Sequence, residues 1–191
     1  MSLSPPAGSA PSSRDRILDA AEGLVAGTGA SHLTLDAVAR AAGVSKGGLL
    51  YHFPTKEALL EGMIQRHFDA VERRVAELRA RNDARAANPV LALLTALFES
   101  VGLEKRAVGA ALIAASATNP ALMAPCRARY ADTLRQLDSL PCGFEEAALL
   151  LLAADGLVLG ELIHLSPYTP EQRERIVAAL MQRAAGCSSA A

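Results

Sequence analysis

Lys46, Tyr51, His52 and Lys56 lie close together in the chain, Arg40 stands just upstream, and no acidic residue occurs between Asp36 and Glu57. Basic donors and a phenol in a stretch without carboxylates suit the binding of phosphate oxygens, even in a chain whose formal net charge is −1. Ser45, Gly47 and Gly48 are small, so the backbone there can approach a surface closely. Thr34, Ser45, Tyr51, His52 and Lys56 are therefore expected on phosphates, and Lys46, Gly47, Gly48 and Leu50 on base edges. Leu50 suits a thymine methyl, and Lys46 is the long donor for direct readout. Tyr51 could instead be partly buried in a core, since a phenol serves both purposes.

Other reactive side chains are scattered. Asp155, His164 and Ser166 could be imagined as a nucleophile set, but no strand-to-helix elbow precedes any serine. The four histidines and the cysteines Cys126, Cys142 and Cys187 show no ligand spacing. Neither a metal, a cofactor nor an enzyme activity is expected. The cysteines, odd in number and widely spaced, do not read as a disulfide framework and fit a reducing cytoplasm. Arg127 and Arg129 beside Cys126 hint at a positive neighbourhood for its thiol.

The phosphate-seeking residues need an element to hold them. In TLDAVARAAGVSKGGLLYHF, residues 34–53, Thr34 is a good N-cap, and Leu35, Val38, Ala39 and Ala42 mark one apolar helix face. Gly43 permits the turn, Val44 plugs the corner, Ser45 caps a second short helix and Pro54 stops it. Helix, glycine turn and helix is the arrangement that lays its second helix in the major groove of DNA. A preceding helix from about Ser13 to Ala26, with Ile17, Ala21, Leu24 and Val25 inward, would brace it.

With ILDAAEGLVAGTGA upstream and PTKEALL downstream, this stretch resembles the DNA-binding domain of the tetracycline-repressor (TetR) family of bacterial transcription regulators. The resemblance covers roughly Arg14 to Leu60. It departs at Leu50, where many relatives carry an aromatic residue, and at Gly48, where a base-contacting side chain is common. It implies a homodimer on an inverted-repeat operator in double-stranded DNA, and a second domain for effector binding and dimerisation.

Composition fits that layout. Apolar residues make up 51% of the 191-residue chain, aromatic ones only 4%, and the longest apolar run is interrupted before transmembrane length. No basic-then-apolar segment opens the chain, so neither a secretory signal nor a membrane role is expected. The expected fold is all-α with about nine helices: a disordered tail at 1–12, a three-helix helix-turn-helix domain at 13–54, and a helical bundle at 55–185. A tail follows at 186–191. A long helix at 55–82 links the two domains, and further helices are expected at 89–101, 103–118, 120–139, 143–165 and 170–185.

In the second domain, residues that break apolar helix faces are the candidate pocket lining: Met63, His67, Phe98, Asn119, Tyr130 and His164. With no Trp and few aromatics, a mostly apolar effector, neutral or weakly acidic, is expected. Residues 145–165 are apolar nearly all round, and Gly156 and Gly160 leave a strip where a second helix can approach. The expected function is a cytoplasmic repressor released from its operator by a small molecule. The alternatives are a DNA-binding dimer without an effector and, from another class, an enzyme on a helical scaffold.

Overall fold

The computed structural model describes residues 11–29, 32–100, 103–138 and 140–187. Among them nine α-helices follow in order: α1 (Ser13–Thr28), α2 (Leu35–Ala42), α3 (Lys46–His52), α4 (Lys56–Ala80), α5 (Pro89–Ser100), α6 (Leu103–Thr118), α7 (Ala124–Leu137), α8 (Phe144–Leu162) and α9 (Pro170–Ala185). Tight 3-10 turns lie at Ala84–Ala87 and Pro120–Met123. The expected tail at 1–12 falls outside the described residues as far as residue 10, and that at 186–191 does so beyond Cys187.

Side-chain caps start most of the helices in the first domain. Ser12, Thr34, Ser45 and Thr55 each accept the backbone N–H three residues on. Thr169 and Gln172 form a reciprocal capping box before α9. Asn88 is buried; its carbonyl oxygen accepts Leu91 N–H at 3.1 Å, and its amide donates to Ala184 O at 2.5 Å, tying α5 to the end of α9.

Two apolar clusters organise the packing. The first joins α1, α2 and α3 to the start of α4 through Ile17, Leu18, Val38, Leu49, Phe53 and Leu59, and reaches Leu112 of α6. The second joins α5, α7, α8 and α9 through Leu94, Leu137, Leu150 and Leu180. α4 belongs to the first cluster at its start and packs along α5 further on. Arg66 of α4 pairs with Asp19 and Glu22 of α1, and Arg74 reaches Glu99 of α5 at 2.6 Å.

Several boundaries differ from expectation for local reasons. α4 is 25 residues long, and Asn82, at φ 52°, turns the chain in the left-handed conformation. The helix expected at 120–139 is divided, because Asn119 caps a 3-10 turn before α7 begins. α8 ends at Leu162 because Gly160 O accepts from Leu165 and Ser166 instead of continuing the helix, with His164 at φ 56°. Against the expectation of three unpaired thiols, Cys142 and Cys187 form a disulfide with Cα atoms 4.8 Å apart. The sequence hides this pairing: 45 residues separate the two, and only the return of α9 along α8 brings them together. Cys126 remains free and buried, and burial pushes its thiol up despite Arg129 and Arg127.

Candidate DNA interface and ligand cavity

α3 is held from within and bare outside. Leu49 is fully buried, and Phe53, just past its last residue, is buried as well. Gly43 stands at φ 64°, ψ 36°, so the chain reverses between α2 and α3 without a Cβ penalty. Half-buried Val44 packs onto the first cluster at that corner. Ser45 Oγ accepts Gly48 N–H at 3.1 Å, and a Cβ at Gly48 would stand 3.2 Å from that oxygen. Gly48 thus leaves room for the cap, whereas Gly47 faces open space.

The outer face of α3 carries Lys46, Gly47, Leu50 and Tyr51. Tyr51 is 84% exposed, which removes the core alternative for its ring. It meets the half-buried His52 edge-on at 5.1 Å. Thr34 and Ser45 lie exposed at the N-termini of α2 and α3, and half-buried Lys56 opens α4. Lys46 Nζ lies 3.0 Å from Asp36, with both side chains about two-thirds exposed, so little holds the pair against a competing acceptor. The nine residues expected to meet DNA therefore all belong to α3 or to the helix starts beside it.

A cavity of about 600 Å³ opens in the second domain between α4, α5, α6, α7 and α8. Its walls are mostly apolar, with Ile64, Phe68, Leu97, Leu112, Leu134 and Val158 among them. Gly109 lets α6 close onto α8, since a Cβ there would stand 2.9 Å from Leu162 Cδ2. The polar lining is His67 and Glu72 of α4, Arg127, Arg129, Tyr130 and Thr133 of α7, and Asp155 of α8. Arg129 is committed to α4, pairing with Asp69 at 2.6 Å and Glu72 at 3.4 Å. Tyr130 donates its hydroxyl to the Asp155 carboxylate. Burial pushes both groups up: Asp155 above the usual carboxylate range, and Tyr130 well above a free phenol, reinforced by the adjacent carboxylate.

Of the residues expected in a pocket, His67 and Tyr130 line the cavity. Met63 is buried in the first cluster, Phe98 packs on the second, Asn119 caps the 3-10 turn, and His164 is exposed beyond α8. Their local roles account for their interrupting apolar faces. Asp155, considered in the sequence only as part of a nucleophile set with His164 and Ser166, is a polar wall residue that was not expected in the pocket. The available signal was a single carboxylate within the apolar run ALLLLAADGLVLG.

The two glycines of α8 differ. Gly156 is exposed, a Cβ there would meet nothing within 4 Å, and it lies in a strip with Leu149, Leu152, Leu159 and Ile163. Leu149 and Leu152 are 61% and 62% exposed, which is unusual for neighbouring leucines on a long helix. Gly160 instead faces its own chain: a Cβ there would stand 3.8 Å from Ser166 N. No described group of His, Cys, Asp and Glu could hold a metal, and no described helix is long and apolar enough to cross a membrane.

Comparison with known proteins gives two family matches. Residues 17–63 match "Bacterial regulatory proteins, tetR family", and residues 87–185 match "Tetracyclin repressor-like, C-terminal domain". No curated protein matches the sequence. Among solved structures, a TetR family member from Streptomyces coelicolor A3 is 28% identical, with 91% of this chain and 98% of that chain covered and a TM-score of 0.68. A transcriptional regulator from Rhodococcus sp. Rha1 is 26% identical over 94% and 100% of the two chains, with a TM-score of 0.66. The multidrug binding protein EbrR, complexed with ethidium, is 28% identical over 91% and 98%, with a TM-score of 0.63. EbrR was also solved with imidazole.

Proposed function

The chain belongs to the TetR family of DNA-binding transcription regulators, and from that premise we propose that it is a homodimeric repressor released from an inverted-repeat operator by a small molecule. The family's members are regulators that bind DNA, not enzymes. The observation that carries the ligand-responsive part of the reading is the 600 Å³ cavity bounded by α4, the helix whose Gly62 lies against Phe53 at the end of α3. A cavity of this size and apolar character suits a small molecule. EbrR, a relative with ligands bound, supports the same reading.

α3 enters the major groove with Lys46, Gly47, Gly48 and Leu50 toward base edges. Thr34, Ser45, Tyr51, His52 and Lys56 lie on phosphates. Two protomers meet through the α8 strip around Gly156, with α9 beside it, and the two-fold axis sets the spacing of the half-sites. A ligand in the cavity moves α7 relative to α4. Arg129 carries that motion to Asp69, and the packing of Phe53 on α4 carries it to α3. The response is as large as the ligand's differential affinity for the two arrangements.

The test is a screen for compounds that raise the melting temperature, followed by a fluorescence-anisotropy assay of duplex release. A compound that does both supports release by an effector. Stabilising compounds that leave the duplex bound would favour a DNA-binding dimer without an effector.

A further inference from the structure

Asp155 sits midway along α8 with its carboxylate in the wall of a mostly apolar cavity, whose other charged lining residues are Glu72, Arg127 and Arg129. Its hydrogen-bond partner there is the Tyr130 hydroxyl, a neutral donor. The guanidinium of Arg129, which also lines the cavity, pairs with Asp69 and Glu72 on α4, its Nη1 buried without a hydrogen bond, and Arg127 reaches Pro120 O at 3.2 Å. Among the described residues no basic side chain pairs with Asp155. A carboxylate taken out of water costs free energy unless a cation or further donors compensate it, and this one has a single hydroxyl. Meanwhile the apolar surface around it suits a hydrocarbon or aromatic body.

We propose that the cavity selects organic cations, specifically a protonated amine on an apolar body, with Asp155 as the counter-ion. The proposal rests on the reading of this cavity as the effector site and adds the ligand's charge to it. The ammonium sits against the Asp155 oxygen that Tyr130 does not occupy, and the apolar body lies along Phe68, Leu112 and Val158. Tyr130 holds the carboxylate in place, acting as a positioning residue. The selectivity is directional: a carboxylic acid of the same shape meets like charge at Asp155, and an alcohol forms a hydrogen bond without an ion pair.

The chain has no tryptophan, so naphthalene emission reports binding cleanly. Titration of the full-length protein with 1-naphthylmethylamine, 1-naphthalenemethanol and 1-naphthoic acid compares three charges on one body. The amine is expected to bind roughly tenfold or more tighter than the alcohol, with the acid weakest. In Asp155→Asn the amine's advantage should vanish while the alcohol keeps its affinity, which also shows that the variant's cavity is intact. Tyr130→Phe should keep the order amine over alcohol with a smaller gap. Equal binding of amine and alcohol, tightest binding of the acid, or an amine advantage that survives Asp155→Asn would overturn the charge assignment while leaving the cavity as a ligand site. If none of the three binds, the cavity reading fails and the charge assignment with it.

Discussion

Gly62 of α4 lies directly beneath the ring of Phe53: a Cβ at Gly62 would stand 2.6 Å from Phe53 Cε1. This close approach seats the end of α3 on the linking helix. Gly62→Ala is expected to cost about 1–3 kcal/mol of stability by overpacking, although alanine is the better helix former. Duplex affinity should fall with it. Phe53→Leu in the same chain should restore part of the lost stability, which urea denaturation of the single and double variants would reveal. Independent, additive losses would contradict the contact.

The cap of α3 can be removed alone. Ser45→Ala leaves Gly48 N–H without its side-chain acceptor and should destabilise the protein by about 1 kcal/mol. Because the same hydroxyl is expected on a phosphate, duplex affinity should drop by more than the change in folding stability explains. Equal wild-type and variant affinity would remove Ser45 from the interface.

Lys46 forms an exposed ion pair with Asp36. Lys46→Ala should weaken binding to the preferred duplex more than to unrelated ones, whereas Lys56→Ala should weaken all sequences alike and flatten the salt dependence by about one unit. Asp36→Asn frees the ammonium and removes a like charge from the phosphates, so affinity should rise by up to about fivefold. A fall in affinity with Asp36→Asn would mean that the pair orients Lys46 for binding.

These residues show what the sequence made legible. The helix-turn-helix unit could be read almost residue by residue because caps, Gly43 and the periodicity of α2 are local signals. The cavity could not. Its walls come from five helices, and side chains that interrupt an apolar face for local reasons, such as the capping Asn119, look the same in sequence as those facing a ligand. Counting aromatic rings pointed to a neutral or weakly acidic effector, whereas the proposed amine selectivity rests on Asp155, a lone carboxylate in an apolar run. The Cys142–Cys187 bond was illegible for the same reason as the cavity, since distant elements create it.

Asp155 also predicts a pH effect. Its folded-state pKa is raised by burial, so its contribution to stability is fully present below the ordinary carboxylate value of 3.8 and is lost as pH rises through the folded value. Above that folded value the half-buried charge weakens the ligand-free protein. Asp155→Asn should therefore melt higher than wild type at pH 7, and the gap should shrink as the pH is lowered toward 4. Thermal melts across that range decide it; a wild-type protein that melts higher at pH 7 would show the carboxylate to be stabilising.

The α8 strip supports a dimer through Leu149, Leu152 and Gly156. Leu152→Glu places a charge on an already exposed position, so the protomer should stay folded while sedimentation shifts toward monomer. Tight duplex binding should be lost with it. An unchanged dimer would move the interface elsewhere on the chain.

The central claim is that two copies of α3, related by a two-fold axis, read DNA. Selection of bound duplexes from a random pool tests it most directly. The expected result is enrichment of an inverted repeat with half-site centres one helical turn apart or a multiple of it, roughly 34–36 Å for one turn. Enrichment of a single asymmetric site, or of no sequence at all, would contradict it.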